Sequence, residues 1–356
     1  MSNTPLFDPA EFRLPLGVVH VCAGGETACL IRHDDAMLRY LRDKSRGMPG
    51  RVAQEAQIRR TREAIARLWG VSVDEIGFVS NVAEGVSIVA ESLDWRDGDN
   101  IRIDPIEYPS MVGPFALRGI EVNTGAINAR TRIVSVSAVS YRSGERADLA
   151  SLREQADAVG ALLVVDFTQA SGYMPIEASV ADFAFSASYK FMLGITGVAT
   201  AFWNRTRQPH WLARSGGGHS WALNGQSYDP MPAVKPDAMS FMRGNPAHAS
   251  VYVLAEALDY LAGFDPLAVQ AHVQGLTTAL MDRLAALQIP VMTPRDPARH
   301  GASVCVASPR AQAIVDELYA LGIYAWNGQG RIRFSFHGYN AMADVDRIAE
   351  AMQRLW

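Results

Sequence analysis

The chain has 356 residues, 49% of them hydrophobic and 20% charged, and a formal net charge of −4. This length accommodates two domains, and so small a net charge argues against nucleic acid or an anionic membrane surface as a partner. The N-terminal residues lack a basic segment followed by an apolar one, and the uncharged stretches are too short to cross a membrane, so we expect a cytoplasmic protein without a signal peptide.

Strand-like and helix-like segments alternate through the first two hundred residues. A charged amphipathic helix is predicted over residues 51–69, and Asn81 opens another that runs to about residue 93. Further helices are expected at residues 112–117 and 149–159. Strands are expected at residues 76–79, 101–103, 132–138, 162–166, 183–186 and 198–203. This β-α-β rhythm predicts an α/β fold with a mainly parallel sheet and helices on both faces.

The character of the sequence changes after the last of these strands. Residues 216–236 are rich in Gly, Ser, Pro and aromatic residues, which is typical of a long functional loop. The elements expected beyond it are helices at residues 247–261, 266–287, 312–321 and 344–355, and strands at 304–306 and 332–335. We therefore expect a large domain at residues 15–245, a small C-terminal domain at residues 246–356 and an N-terminal arm at residues 1–14.

Two residues that follow predicted strands indicate a cofactor. Asp166 directly follows the apolar run LLVV, and Lys190 lies beyond the next strand and before a Gly-containing turn. A carboxylate there is unfavourable unless it is paired, and a lysine in apolar surroundings is readily deprotonated. Pyridoxal 5′-phosphate requires both groups: an amine that holds its aldehyde as a Schiff base and a carboxylate that keeps its ring nitrogen protonated. The alternatives are a solvated lysine in a loop and an ordinary acid at a strand end.

The phosphate of such a cofactor needs hydrogen-bond donors. Asn81 is predicted to cap a helix, so the backbone N–H groups of Val82 and Ala83 are expected at its N-terminus, where phosphate binds favourably. A plain helix cap is the alternative. Ser188 and Tyr189, beside the lysine, are further candidate donors.

Two segments carry a family resemblance. VVDFTQASGYMPIEA and SYK, followed by a Gly-rich turn, resemble the class V aminotransferase family, in which a strand ending in V-D-x-x-Q precedes the cofactor lysine. RIRFSFHGYN resembles that family's C-terminal R-x-S-x-x-x-Y-N, whose arginine binds the substrate α-carboxylate. The resemblance covers nearly the whole chain. It implies a fold type I large domain with a mostly parallel sheet of seven-stranded type and a small C-terminal α/β domain.

The resemblance also implies roles for single residues. Arg333 is the expected α-carboxylate anchor, because a guanidinium binds a carboxylate bidentately. Arg331, two residues away on the same strand face, is one alternative, and two solvated charges on an edge strand are the other. Tyr108, in EYPS, is expected to stack on the cofactor ring, as in the kynureninase and isopenicillin N epimerase-like branch. The remaining implied contacts are Gln169 and Ser140 near the phenolic oxygen, Thr196 and Asn245 in segments that reach a partner subunit, and His219 and Trp221 in a substrate-recognition loop. A flexible surface loop is the alternative for the last two.

The function that the resemblance implies is action on an amino acid through an external aldimine and Cα deprotonation, and an aminotransferase is the first expectation. The first alternative is a lyase, hydrolase or epimerase, which shares the same early steps. The second alternative is a catalytically silent binding protein of this fold. In the cysteine desulfurases of this family, a nucleophilic cysteine lies on the loop before the carboxylate-binding arginine. The corresponding residues 324–330 contain no cysteine, so persulfide chemistry is not expected. Cys22, Cys29 and Cys305 are scattered without zinc-ligand spacing, which predicts reduced thiols and no metal site. The resemblance further implies a homodimer with shared active sites.

Overall fold

The structure, a computed structural model, describes residues 4–222 and 233–356. The strands are β1 (Val19–His20), β2 (Ile76–Val79), β3 (Asn100–Arg102), β4 (Glu121–Asn123), β5 (Thr131–Ser137), β6 (Leu162–Asp166), β7 (Phe183–Ala187), β8 (Ala199–Trp203), β9 (Ser303–Ala307), β10 (Ile323–Tyr324), β11 (Trp326–Gly328) and β12 (Arg331–Ser335). The α-helices are α1 (His33–Lys44), α2 (Met48–Trp69), α3 (Val82–Glu91), α4 (Pro109–Ala116), α5 (Leu149–Val159), α6 (His248–Leu261), α7 (Pro266–Ala286), α8 (Ala311–Ala320) and α9 (Met342–Leu355).

Seven strands form one sheet in the order β2-β8-β7-β6-β5-β3-β4. The pairs from β4 through β7 are parallel, whereas β8 runs antiparallel to both β7 and β2. The sheet is therefore parallel except for β8, which confirms the predicted α/β fold with a mostly parallel sheet. Because β7 and β8 are antiparallel neighbours, a short connection joins them and no crossover helix is needed.

Both faces of this sheet are buried. Successive residues of β6 belong to different apolar clusters: Leu163 and Val165 face one core, and Val164 faces the other. Ile133 and Val134 of β5 divide in the same way. A strand covered on both faces has no reason to alternate apolar with polar residues, which explains why these strands read as continuous apolar runs.

The C-terminal part contains a second, smaller sheet of order β11-β12-β9, with antiparallel pairing throughout. The strand β12 lies in its middle, so the interpretation of residues 331 and 333 as edge-strand charges is wrong. The N-terminal β1 pairs in parallel with β10 of this region. The proposed division into domains at residue 245 stays a prediction.

Several elements differ from the expectation. The helix α1 was not anticipated, although Asp34 and Asp35 in its first turn and Arg42 and Lys44 in its last suit the helix dipole. The helix α4 begins at Pro109, earlier than expected, because proline is well suited to the first turn of a helix. Of the loop predicted at residues 216–236, positions 223–232 lie outside the described residues. No helix in the described ranges combines the length and apolar character that a membrane crossing requires.

Candidate active site

The carboxyl ends of β2, β5, β6 and β7 lie at one edge of the large sheet, which is where open α/β sheets bind ligands. Residues just beyond those ends line a cavity of about 210 Å³. The expected cofactor-binding residues in its wall are Asn81, Val82, Tyr108, Asp166, Gln169, Tyr189 and Lys190. The fold thus brings most of the predicted site together from four separate stretches of the chain.

Lys190 lies in the short connection between β7 and β8. The hydroxyl of Ser188 donates to the carbonyls of Ile195 at 2.9 Å and Val198 at 2.7 Å, which closes this connection. The backbone around the lysine is therefore fixed by a buried polar side chain. Ser188 itself points into the fold, so it supports the lysine and does not line the cavity.

The amine of Lys190 lies between aromatic rings. Its side chain is 8% exposed, and Nζ is 5.7 Å from the ring centre of Tyr108 and 5.5 Å from that of Tyr189. Burial, assisted by the positive charge of Arg333, lowers the pKa of Lys190 to about 8. About a tenth of the amine is therefore neutral at pH 7, far more than for an ordinary lysine, and the neutral amine is the form that attacks an aldehyde.

Asp166, at the end of β6, is a buried carboxylate on the same cavity. Its Oδ1 accepts a hydrogen bond from the backbone N–H of Thr168 at 2.8 Å, and burial raises its pKa. No cationic side chain in residues 4–222 or 233–356 forms an ion pair with it. A protonated pyridine nitrogen in the cavity would supply the missing partner, so this position fits the predicted cofactor.

Glu107 lies beside the cavity, directly before Tyr108, although it is not part of the cavity wall. Its carboxylate accepts hydrogen bonds from the backbone N–H of Tyr108 at 2.6 Å and from the N–H and hydroxyl of Ser137 at 2.8 and 2.5 Å. Burial, with Asp166 nearby, raises the pKa of Glu107. This carboxylate ties Tyr108 to the end of β5 and so orients its ring over the cavity. In the sequence, only the position of Glu107 directly before Tyr108 in EYPS indicated that it could support that tyrosine.

The N-terminus of α3 faces the cavity through Asn81 and Val82. The side chain of Asn81 accepts from the N–H of Glu84 at 3.0 Å, which confirms the predicted cap. Ala83 is not among the residues that line the cavity. A helix N-terminus offers unpaired N–H groups and partial positive charge, which suits a phosphate at this end.

Arg333, on β12, has an unusual shortage of partners. It is 3% exposed, and its guanidinium lies 4.6 Å from the ring centre of Trp326. Only Nη1 is engaged, donating to the carbonyl of Tyr141 at 3.0 Å, while Nε is buried without a partner. No carboxylate in the described chain pairs with this side chain. The Nε–Nη2 edge, which is the edge that binds a carboxylate bidentately, is therefore free.

Arg331 is also buried, at 1% exposed, which excludes the solvated alternative. It differs from Arg333 in being committed to the fold: its guanidinium donates to Gly328 O, Gln329 Oε1 and Tyr141 O at 3.1 to 3.2 Å. The two guanidinium groups share one face of β12, since both lie over the indole of Trp326. Arg331 thus fills a structural position beside the free edge of Arg333.

The remaining predicted residues lie elsewhere or act differently. Gln169 lines the cavity, and its Nε2 donates to Gly24 O at 2.8 Å. The hydroxyl of Ser140 accepts from the N–H groups of Arg142 and Ser143 and turns away from the cavity, whose wall is formed by Tyr141. Tyr141 and Trp326 were not predicted as site residues, although Tyr141 lies within SYRSG and Trp326 lies shortly before the strand of Arg333.

The residues expected to reach a partner subunit, or to recognise substrate from a loop, are not among those that line the cavity. Thr196 and Asn245 are both exposed. The Nε2 of His219 lies 2.8 Å from the side-chain oxygen of Asn245, and Trp221 pairs with Val234 in an isolated bridge. Within one chain, therefore, these positions do not contribute to the site.

Known proteins resemble this chain over most of its length. A family model described as Aminotransferase class-V matches residues 115–348. A "probable cysteine desulfurase" of Methanothermobacter thermautotrophicus is 26% identical over 373 residues, which cover 90% of each chain. The apo structure of a cysteine desulfurase from Thermococcus onnurineus has a TM-score of 0.88 at 21% identity and covers 100% of this chain and 98% of its own.

A third similar protein, C-DES, is represented by two structures. One carries glycine covalently linked to the PLP cofactor and has a TM-score of 0.88 at 18% identity, covering 98% of this chain and 100% of its own. The other is a complex between this cystine C–S lyase and its reaction product cysteine persulfide, with a TM-score of 0.85 at 18% identity, covering 96% and 98%. At these identities the solved structures establish the fold.

Proposed function

We propose that this chain, which belongs to the class V aminotransferase family, is a pyridoxal-phosphate-dependent lyase that acts on amino acids with a leaving group at Cβ. The observation that carries the amino-acid substrate is the free Nε–Nη2 edge of Arg333, a buried cation without a carboxylate partner in the described chain. A buried unpaired charge is costly, so it is expected where a ligand supplies the opposite charge.

Three residues of the cavity and the N-terminus of α3 have distinct proposed roles. When bound, pyridoxal phosphate supplies an electron-accepting ring that stabilises negative charge at the substrate Cα. Lys190 bonds the cofactor aldehyde and, once substrate has replaced it there, moves the proton at Cα. Asp166 holds a proton at the ring nitrogen, Tyr108 covers the ring, and the N–H groups at the start of α3 bind the phosphate.

A lyase is favoured over the aminotransferase that the sequence first suggests. The relative from Methanothermobacter thermautotrophicus bears a desulfurase name, and C-DES is a cystine C–S lyase. A protein-bound persulfide is not part of the proposal, because residues 324–330 contain no cysteine. Burial also raises the pKa of Cys22 and Cys305, the thiols near Arg333, which keeps them protonated and weakly nucleophilic.

Product analysis separates the two reactions. Elimination of a group X from Cβ, followed by addition of one water and loss of ammonia, yields HX, pyruvate and ammonia. The PLP-loaded protein should therefore form pyruvate and ammonia in equal amounts from cystine or S-alkylcysteines without any oxo-acid acceptor. If keto-acid formation continues only when an oxo acid is added, the protein is an aminotransferase and the lyase proposal is wrong.

We also propose that the protein is a homodimer whose partner completes the site. The support is that Thr196 and Asn245 lie exposed and outside their own cavity. In addition, large apolar side chains are exposed on neighbouring helices, with Leu38 at 62% and Met48 at 74%. Sedimentation velocity should give the mass of two chains, and a monomer at micromolar concentration would refute the proposal.

A further inference from the structure

The turn at residues 22–26 lies against the rim of the cavity. The N–H groups of Gly25 and Glu26 both donate to the carbonyl of Cys22, at 2.8 and 2.9 Å. Gly24 O accepts from Gln169 Nε2, and a Cβ at Gly24 would lie only 2.6 Å from the hydroxyl of Ser335. The turn is therefore in close contact with the C-terminal sheet on one side and with a cavity residue on the other.

The next residue of the turn faces the expected carboxylate anchor. A Cβ at Gly25 would lie 3.4 Å from Nη2 of Arg333 and 3.4 Å from Cδ1 of Trp326. The absence of a side chain at this position keeps the free edge of Arg333 accessible. An amino acid held by that edge has the backbone of Gly25 beside it, and Glu26 is the first side chain that follows.

Glu26 is exposed, and within residues 4–222 and 233–356 its carboxylate has no hydrogen bond or ion pair. Its negative charge nevertheless acts on the cavity. Burial and Arg333 lower the pKa of Lys190, and Glu26 opposes that shift; burial raises the pKa of Tyr189, and Glu26 adds to that rise. The other carboxylates at the site are already committed: Glu107 binds Tyr108 and Ser137, and Asp166 faces the cofactor position. Glu26 is thus the free anion at the rim.

We propose that Glu26 determines substrate specificity by binding a cationic group, such as an ammonium, at the far end of the substrate side chain. This inference rests on the proposed amino-acid substrate but not on the outcome at Cβ. A Cβ at Gly25 would lie 3.4 Å from Nη2 of Arg333, so Glu26 follows directly after the residue beside the expected α-carboxylate anchor, and we take the substrate side chain to extend past Gly25 toward Glu26. A side chain ending in a carboxylate would meet repulsion there instead.

Three ligands of nearly equal shape test the proposal: S-(2-aminoethyl)-L-cysteine, which is cationic, S-propyl-L-cysteine, which is neutral, and S-carboxymethyl-L-cysteine, which is anionic. Dissociation constants are measured from the change in absorption of the PLP-loaded protein immediately after rapid mixing, before product forms. Wild type should prefer the cationic to the neutral ligand, and Glu26→Gln should reduce that preference about 2- to 5-fold, as expected for an exposed charge pair. Glu26→Lys should reverse the order in favour of the anionic ligand.

Glu154→Gln is the matched control, because Glu154 is an exposed acid on α5 away from the cavity. It should leave all three constants unchanged. Equal affinities of the cationic and neutral ligands in wild type, or a preference that survives in Glu26→Gln, would overturn the inference while leaving the proposed function intact. If none of the amino acids alters the absorption, the proposed amino-acid substrate is wrong and the inference falls with it.

Discussion

Replacement of Arg333 by alanine should weaken binding of the substrate carboxylate severely while leaving the resting spectrum of the bound cofactor unchanged. The magnitude follows from the environment. A surface ion pair is worth about 0–1 kcal/mol, but this guanidinium is 3% exposed and offers two parallel N–H groups on its free edge. Removal of one partner from a desolvated, hydrogen-bonded charge pair costs about 2–5 kcal/mol, or roughly 30- to several-thousand-fold in apparent affinity.

The protein without substrate should be affected much less. Arg333 makes one hydrogen bond, to Tyr141 O, and lies over Trp326, but its charge is buried beside that of Arg331. The loss of those contacts is offset by the removal of an unpaired buried cation. Arg333→Lys should recover only part of the affinity, because an ammonium lacks the planar pair of donors.

The assay compares an amino acid with its α-amide in wild type, Arg333→Ala and Arg331→Ala. Affinity for the acid should collapse in Arg333→Ala, whereas affinity for the amide should change little. Arg331→Ala loses three hydrogen bonds to the fold, so its main effect should be a lower Tm, with discrimination between acid and amide retained. The assignment is refuted if Arg331→Ala abolishes that discrimination at unchanged Tm while Arg333→Ala keeps it.

Lys190→Ala should abolish covalent cofactor attachment and multi-turnover catalysis; borohydride reduction and peptide mapping check this, and a reduced adduct on Lys44 or Lys235 would contradict the assignment. Asp166→Ala should weaken cofactor binding and slow loss of a Cα deuteron to solvent, because an unprotonated ring accepts electrons poorly; normal exchange at saturating cofactor would exclude the role. Because burial lowers the pKa of Lys190 to about 8, the neutral amine increases as pH rises, so incorporation of cofactor into apoprotein should accelerate and level off above that pH. A rate that keeps rising without levelling off up to about pH 10, as an ordinary lysine would give, would contradict the lowered pKa.

Local sequence was sufficient to predict the buried strands of the large sheet. The strands at residues 76–79 and 162–166 were predicted with the bounds that the structure has, since both are short apolar runs between clear turn signals. The same reasoning pointed to Asp166, at the end of one such strand, and to Lys190, beyond the next, although the role of Lys190 was assigned mainly from the family resemblance. The α/β class followed from the alternation of these runs with helical segments.

Contacts between distant parts of the chain were beyond local reasoning. Nothing near residue 331 indicates that Tyr141 O accepts hydrogen bonds from both Arg331 and Arg333, which lie about 190 positions away. Burial of both arginines depends on Trp326 and on the central position of β12, and pairing order is a property of the whole sheet. Likewise, Thr196 was assigned from a motif alone, and its exposure follows from the way the Lys190 connection closes on itself.

The closed connection around Lys190 governs how this part of the molecule exchanges with solvent. Five residues of β7 pair with five of β8, and Ser188 fastens the intervening chain to Ile195 and Val198. Amides held in a buried ladder exchange hydrogen only through large-scale opening, whereas those in exposed turns exchange through local fluctuations. Deuterium uptake should therefore be slow on both sides of Lys190 and faster in the turn of Glu26. The part of the cavity around Lys190 would then stay rigid while the turn of Glu26 opens locally.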